Sequence, residues 1–397
     1  MFCLSCSPPN TPPNIVLIYA DDLGWRDLSV QGSAYYETPN IDRLAEEGMR
    51  FTDAYANAPN CAPSRAALIS GQYAPRTGSY TVGTAERGPD EERALVPVDN
   101  ETTLDLNVHT IAEVLGNAGY ATGHAGKWHL GGKGFLPADQ GFTWSIAGSE
   151  AGAPPDYLYP YERGDRRVPD LSKGKEGEYL PDRLVNESIA FIDREQEGPF
   201  FLYLSHYAVH TPIQARSEIV DRYRSKPPIG GHQNPTYAAM IESLDQGVGR
   251  ILTALEERGL SDNTVVIFAS DNGGFGPVTS MAPLRGSKGM LYEGGIRTPL
   301  IVRWPEQVEP GSTSQIPVIG LDLYPTMAHL AGASLPDDQT IDGVNLIPAL
   351  IGSGEVPERD LIWHFPAYLE ADRSVAGIWR TTPASALRRG PYKVIYF

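Results

Sequence analysis

Two short runs far apart in the chain constrain its fold more than anything else in it. "NIVLIYADD" starts at Asn14 and "NTVVIFASDN" at Asn263. Each is an unbroken apolar, β-branched stretch that stops abruptly at acids. A half-exposed strand alternates apolar and polar residues, whereas a continuous apolar run of this length reads as a strand buried on both faces. Such a strand lies inside a sheet covered by helices. Its polar end then emerges at the carboxyl edge of the sheet, where open α/β folds bind their ligands. Asp21 and Asp22 close the first run, and Asp271 and Asn272 close the second.

The intervening sequence alternates in the same way. "ETPNIDRLAEEGMRF" reads as a helix with Asn40 as its cap and Gly48 near its end. "TIAEVLGNAGYATGHAGKWHLG" reads as helix, glycine turn, short strand and loop. "LPDRLVNESIAFIDREQ" is helical, "GPFFLYLSHYAVHTP" is a strand ending in a loop, and "PTYAAMIESLDQGVGRILTALEERG" is a long amphipathic helix. "TPLIVRWP" is a further strand. The fold class is therefore α/β, a large mixed, mostly parallel sheet flanked by helices. After about Leu335 the pattern weakens into "DLIWHFPAYL" and "ALRRGPYKVIYF", which read as strands of a small C-terminal α+β subdomain. The expected division is a disordered leader over 1–13, a main domain over 14–335 and the subdomain over 336–397. Residues 82–108 and 150–178 are rich in Gly, Pro and charge and read as long surface loops.

The formal net charge is -17. That field disfavours nucleic acid and anionic membrane surfaces. No stretch is long and apolar enough to span a membrane. An anionic substrate remains compatible, because a local cationic pocket outweighs a diffuse field screened by salt.

The chain has three cysteines. Cys3 and Cys6 form a C-x-x-C in a proline-rich start with no βαβ frame around it, which favours a plain leader over a redox or metal site. A lipid anchor at Cys6 is a second option, although no basic start or long apolar run supports an export signal. Cys61 stands in "NAPNCAPSRAALISGQY", without a disulfide partner nearby and with Arg65 four residues on.

Asp21, Asp22, Asp271 and Asn272 are hard oxygen donors of the kind that bind Ca²⁺ or Mg²⁺ rather than a soft metal. Either pair alone reads as a turn former closing a strand. Two pairs at two strand ends favour a metal. "GKWHLGG" sets Lys127 and His129 two apart in a glycine-bounded loop, so both reach one side if the loop is extended. "HYAVHTP" adds His206 and His210, and "LRGSKGMLYEGGIRTP" adds Lys288, Glu293 and Arg297 among glycines that permit close backbone approach.

These blocks together resemble the sulfatase family of the alkaline phosphatase superfamily, over Asn14 to Phe397. "CAPSR" followed by "AALISGQY" is similar to the family signature C-x-P-x-R, and "DDLGW", "GKWHLG", "VHTP", "SDNGG" and "GSKGMLYEGGIRTP" resemble its other blocks in order. The resemblance implies an alkaline-phosphatase-like catalytic domain over 14–335 that hydrolyses sulfate monoesters. It implies that Cys61 is converted to formylglycine by a maturation enzyme that reads Pro63 and Arg65. Asp21, Asp22, Asp271 and Asn272 would then hold Ca²⁺ together with the hydrate of residue 61. Lys127 and Lys288 would contact the sulfate, Arg65 would sit beside residue 61, His129 would orient the hydrate and take its proton, and His210 would be the general acid. His206, in the same loop, would compete for that last role or bind substrate, while Glu293 and Arg297 read as a structural pair.

The expected substrate is a sulfated sugar, because aromatic and polar stretches such as "AGAPPDYLYPYERGDRR" suit a saccharide cleft. Location outside the cytoplasm, periplasmic or extracellular, is implied in the same way, with a lipid anchor as the variant. Relatives usually continue further through the C-terminal subdomain, so an incomplete subdomain is expected. The alternatives are a phosphoesterase or phosphonate hydrolase of the same superfamily, and a sulfated-glycan binding protein with an inactive site.

Overall fold

The computed structural model describes residues 12–374 and 377–397. The C-x-x-C of Cys3 and Cys6 and nearly all of the expected leader lie outside these residues.

Eight strands form the main sheet. From one edge to the other they are Ser312–Ser314, Met49–Phe51, Leu300–Arg303, Thr264–Ser270, Asn14–Ala20, Phe200–Ser205, Ala121–Gly126 and Trp144–Ile146. Asn14–Ala20 sits at the centre and pairs in parallel with both Phe200–Ser205 and Thr264–Ser270. Leu300–Arg303 runs antiparallel to both of its neighbours. The sheet is thus mixed and mostly parallel, as the apolar runs predict. Every residue of Asn14–Ala20, Phe200–Ser205 and Thr264–Ser270 is buried.

Strand pleating sends alternate residues to opposite faces, and two cores result. Val16, Ile18 and Ala20 pack with Leu184, Tyr237, Ile241 and Leu44 from the helices Leu180–Glu195, Pro235–Glu257 and Pro39–Glu46. Ile15, Leu17 and Tyr19 face the other way, into a core shared with the helices Cys61–Ser70, Ile111–Asn117 and Leu323–Leu330. Full burial of each large aliphatic side chain contributes about 1.5–3 kcal/mol. Helices on both faces therefore hold the central strands, and their ends, in place.

A third core lies under a separate antiparallel sheet of Leu361–Phe365, Ala384–Arg389 and Tyr392–Tyr396. Trp363 is fully buried there and its indole N–H donates to the Ala56 carbonyl at 2.8 Å. This is the small C-terminal unit that the weakened pattern predicts. Arg297 and Glu293 act at its junction with the main sheet. Arg297 donates to the Thr52 carbonyl at 2.7 Å and also pairs with Asp53, while Glu293 accepts from Lys393 of the C-terminal sheet at 2.8 Å.

Two expectations need correction. Asn40 is not a cap. The helix spans Pro39–Glu46, with Thr38 in the cap position and Pro39 opening the first turn. Its first amides are satisfied from outside by Asp245, which accepts from the N–H of Asn40 at 2.9 Å and of Ile41 at 2.8 Å, and from the Asn40 amide at 2.7 Å. The loop at 150–178 is not merely surface decoration either. Tyr157 and Tyr161 are wholly buried, so neither faces a cleft. Tyr157 instead donates its hydroxyl proton to the carbonyls of Tyr207 and His210, at 2.6 and 2.9 Å. The loop thereby braces the segment carrying His210.

Candidate active site

The ladder of backbone hydrogen bonds runs past the strand ends and holds the candidate residues directly. The Asp21 N–H donates to the Ala208 carbonyl at 2.9 Å, Lys127 to Ser205 at 2.7 Å and Asp271 to Ala20 at 3.2 Å. Asp22 and His129 both adopt positive φ, 61° and 64°. Such backbone is uncommon outside glycine and clusters at functional sites. In Asp22 it is held by an N–H donated to the Asp271 carboxylate at 3.1 Å.

Cys61 is the first residue of the helix Cys61–Ser70 and is buried, as is every residue of that helix. Pro63 is tolerated because first-turn N–H groups have no helical partner. Arg65 follows Cys61 by four residues and so shares its face. Its guanidinium grips Asp271 Oδ2 through Nε at 3.0 Å and Nη2 at 2.8 Å. Arg65 also donates to Ser205 Oγ, which in turn donates to the Lys127 carbonyl at 2.6 Å. Ser205 is a site residue that motif reading misses; its only signal is its place as the last residue of a buried strand.

Lys127 Nζ lies 2.7 Å from Asp21 Oδ2, and Lys288 Nζ lies 2.7 Å from Asp22. Asn272 donates its amide to Asp22 Oδ1 at 2.8 Å. His210 Nε2 is 3.5 Å from Asp22 Oδ2. Asp21, Cys61 and His210 offer ligand atoms within 4.8 Å of one another, as do Asp21, Asp22 and Asp271. Asp21, Asp22, Cys61, Arg65, Lys127, His210, Asp271, Asn272 and Lys288 therefore form one cluster, assembled from separate stretches of sequence.

Charge in this buried cluster follows from desolvation first and neighbours second. Burial raises Asp21 well above the ordinary carboxylate range despite Lys127. Burial also opposes ionisation of Asp22, but Lys288, His210 and Lys127 outweigh it and hold that carboxyl down. For Asp271 the same burial is overcome by Arg65 and Lys127. Burial pushes the Cys61 thiol up. It pushes His210 down to about 3, with Lys288 adding to the effect. His129 is depressed by burial and then by Lys127, Arg65, His210 and Lys288, so its ring feels the same cations.

His206 does not join the cluster. It is wholly buried, neither ring nitrogen has a hydrogen-bond partner among the described residues, and burial alone depresses it to about 3. It sits directly after the strand Phe200–Ser205, whose ladder its N–H prolongs onto Tyr19 at 2.9 Å. Of the two histidines expected to compete, His210 is the one the geometry brings to the cluster.

The donor set fits a hard divalent cation. Asp21 Oδ1 and Asn272 Oδ1 are buried oxygens with no hydrogen-bond partner among the described residues. Leaving such atoms unsatisfied is costly, and a cation bound by oxygens satisfies them. Cations of the chain already match its carboxylates here, Arg65, Lys127 and Lys288 against Asp21, Asp22 and Asp271. An added dication leaves the cluster net positive, which suits an anionic substrate.

Residues 13–333 match the family model described as Sulfatase, and residues 287–397 match one described as N-sulphoglucosamine sulphohydrolase, C-terminal. The chain belongs to the sulfatase family. As a sulfatase it is a sulfuric ester hydrolase, like the relatives it resembles. It is 36% identical to a protein named Sulfatase from Formosa agariphila over 427 aligned positions, covering 91% of this chain and 76% of that one. It is 36% identical to Arylsulfatase A of Homo sapiens, covering 97% of this chain and 75% of the relative. Among solved structures, Ps i-CgsB in complex with k-i-k-neocarrahexaose superposes with a TM-score of 0.79 at 32% identity, over 98% of this chain and 84% of that one. The alkaline-phosphatase-like fold expected of the sulfatase is the fold observed. No described helix is long and apolar enough to cross a membrane.

Proposed function

We propose that this sulfatase cleaves sulfate monoesters of a sulfated carbohydrate, using Cys61 in its formylglycine form and a Ca²⁺ held by Asp21, Asp22, Asp271 and Asn272. The observation that carries the reading is the pair of unsatisfied oxygens, Asp21 Oδ1 and Asn272 Oδ1, in the cluster that includes Cys61. The family signature on that cysteine supports the modification. The saccharide substrate is supported by the similar solved structure, Ps i-CgsB, which is in complex with the oligosaccharide k-i-k-neocarrahexaose.

When bound, the ion lowers the pKa of a coordinated hydroxyl and offsets charge on a sulfate oxygen. The aldehyde of residue 61 is used as its hydrate, with two hydroxyls on one carbon. One hydroxyl, ionised by loss of its proton to water, would attack sulfur as the bond from sulfur to the sugar oxygen breaks. His210 delivers a proton to that leaving oxygen. Lys127 and Lys288 offset the charge on the sulfate as it passes through the transition state. His129 then removes the proton of the second hydroxyl. The carbon–oxygen bond to sulfate would then break, releasing inorganic sulfate and restoring the aldehyde. A serine or a thiol lacks this exit, because its sulfate ester would wait for attack by water.

Cys61, Pro63 and Arg65 are buried in the folded chain. That burial supports a maturation step that precedes closure of the fold, with the maturation enzyme as a partner of the unfolded chain. An active site outside the cytoplasm is the reading that goes with such maturation in this family.

Mass spectrometry of the peptide carrying Cys61, from a host with the maturation enzyme, is expected to show an aldehyde in active protein. A fully thiol peptide in an active preparation would overturn the mechanism. A panel of position-defined sulfated sugars, with a phosphate monoester control, tests the substrate. Preference for the phosphate ester would favour phosphoester hydrolysis instead.

A further inference from the structure

A cavity of about 280 Å³ opens beside Lys288. Its wall includes Asn60, Arg87, Phe275, Lys288, Glu370 and Thr381. Asn60 immediately precedes Cys61, and Lys288 is paired with Asp22, so the cavity abuts the reacting centre. Its volume lies just below the range for drug-sized ligands, about 300–1,000 Å³. That suits a single sugar ring.

Arg87 is the unexplained residue in this wall. Its backbone is fixed: the N–H donates to the Tyr368 carbonyl at 3.3 Å, and its own carbonyl accepts from Arg380 at 3.3 Å. Its guanidinium is tied towards the centre, with Nη2 donating to Thr81 Oγ1 at 3.2 Å while the Asn60 amide donates to the same oxygen at 3.0 Å. One hydroxyl therefore separates Arg87 from the residue next to Cys61. Yet most of its donors are idle. Nε is buried with no hydrogen-bond partner among the described residues. The only ion pair it makes there is a long one, 3.5 Å from Nη1 to Glu370, whose side chain is 64% exposed. A guanidinium carries five N–H donors in a rigid fork that matches the oxygens of an anion two at a time. A long pair to so exposed a carboxylate contributes little and yields readily to a better-placed anion.

We infer that Arg87 recognises a second anionic group, a carboxylate or a further sulfate, on the sugar whose ring fills this cavity while the scissile sulfate meets Lys288 and residue 61. The inference rests on the sulfatase mechanism above. It deepens that reading by naming the substrate class as a doubly anionic saccharide and Arg87 as a specificity-determining residue. Glu370 is the counter-ion that holds the guanidinium in place until such a sugar arrives.

The test compares kcat/KM of matured, Ca²⁺-loaded protein on four probes. They are 4-nitrophenyl sulfate, a hexosamine with one sulfate, the same hexosamine with two, and a disaccharide joining a uronic acid to the sulfated hexosamine. Wild type is expected to prefer a doubly anionic probe over the singly sulfated hexosamine. Arg87→Ala is expected to cut that preference by about tenfold or more, the scale of losing one hydrogen bond to a charged group. Arg87→Lys should retain part of it, and Glu370→Gln should increase it. Whichever of the last two probes carries the effect identifies the anion as sulfate or carboxylate. A wild-type preference at or below one, or a preference unchanged in both Arg87 variants, would overturn the inference while leaving the hydrolase intact. Failure to turn over any sulfate ester, 4-nitrophenyl sulfate included, would overturn the hydrolase and the subsite together.

Discussion

His210 faces two opposing fields. Burial and Lys288 favour its neutral form, and Asp22 favours the charged one. An anionic sulfate placed beside it adds to the pull of Asp22. Its importance as proton donor should therefore track how badly the leaving oxygen needs a proton. Nitrophenolate leaves unaided, whereas a sugar alkoxide does not. His210→Ala is expected to lower kcat/KM by about 10²–10⁴-fold on a sulfated sugar, the usual span for general acids, and far less on 4-nitrophenyl sulfate. Equal losses on the two would remove the assigned role. Asp271 grips Arg65 and, on the proposed reading, also completes the oxygen set for Ca²⁺. Asp271→Ala should abolish Ca²⁺ binding in calorimetry and lower turnover by more than about a hundredfold, since even outer partners of a metal cost 10–100-fold. Undiminished Ca²⁺ affinity in that variant would move the ion elsewhere. Most of this cluster is legible in the sequence, because Asp21, Asp22, Asp271 and Asn272 follow apolar runs whose length forces them to the carboxyl edge. Ser205 and Arg87 are not, since a serine ending a strand and an arginine in a polar loop carry no local pattern. Their roles arise only when distant segments meet.

Helices and loops show the same division. The strands and the long helices follow from periodicity, which is a local property. The start of the helix Pro39–Glu46 does not, because its amides are satisfied by Asp245 of the helix Pro235–Glu257. Likewise nothing in "DYLYPY" separates aromatics bound for a cleft from those bound for a core. Tyr157 goes inside because its hydroxyl finds two carbonyls there. Asp245 offers a measurable signature of this cap supplied by another helix. Burial raises its pKa to about 6, above the ordinary carboxylate value of 3.8. A carboxyl whose folded-state pKa is raised stabilises the fold while protonated, and that stability is lost as pH rises from about 4 through 6, by up to about 3 kcal/mol for this shift. Asp245→Asn keeps an acceptor for the two backbone amides but does not titrate. Urea unfolding at pH 4.5 and at pH 7 should therefore show a smaller stability difference in Asp245→Asn than in wild type. An unchanged difference would show that Asp245 does not titrate in that window.

At the scale of the whole molecule, the central strand Asn14–Ala20 waits for a partner synthesised much later. Thr264–Ser270 pairs with it along its full length. Only that pairing brings Asp271 to Arg65, and with it the burial of the signature helix. A ribosome adds about 5–20 residues per second, so the roughly 200 residues between Cys61 and Ser270 take on the order of 10–40 s. On the proposed maturation of Cys61, the order of strands in the sheet would act as a timer on a chemical modification. Cys61, buried in the finished fold, would be reachable only during that interval. Purified full-length thiol protein, folded before it meets the maturation enzyme, should resist conversion, whereas the same protein held in urea at a concentration the enzyme tolerates should be converted. Aldehyde yield by mass spectrometry decides between them; rapid conversion of the folded thiol form would show that the helix Cys61–Ser70 opens on its own. Codon changes that slow translation between residues 61 and 270 should raise the modified fraction without altering a single amino acid.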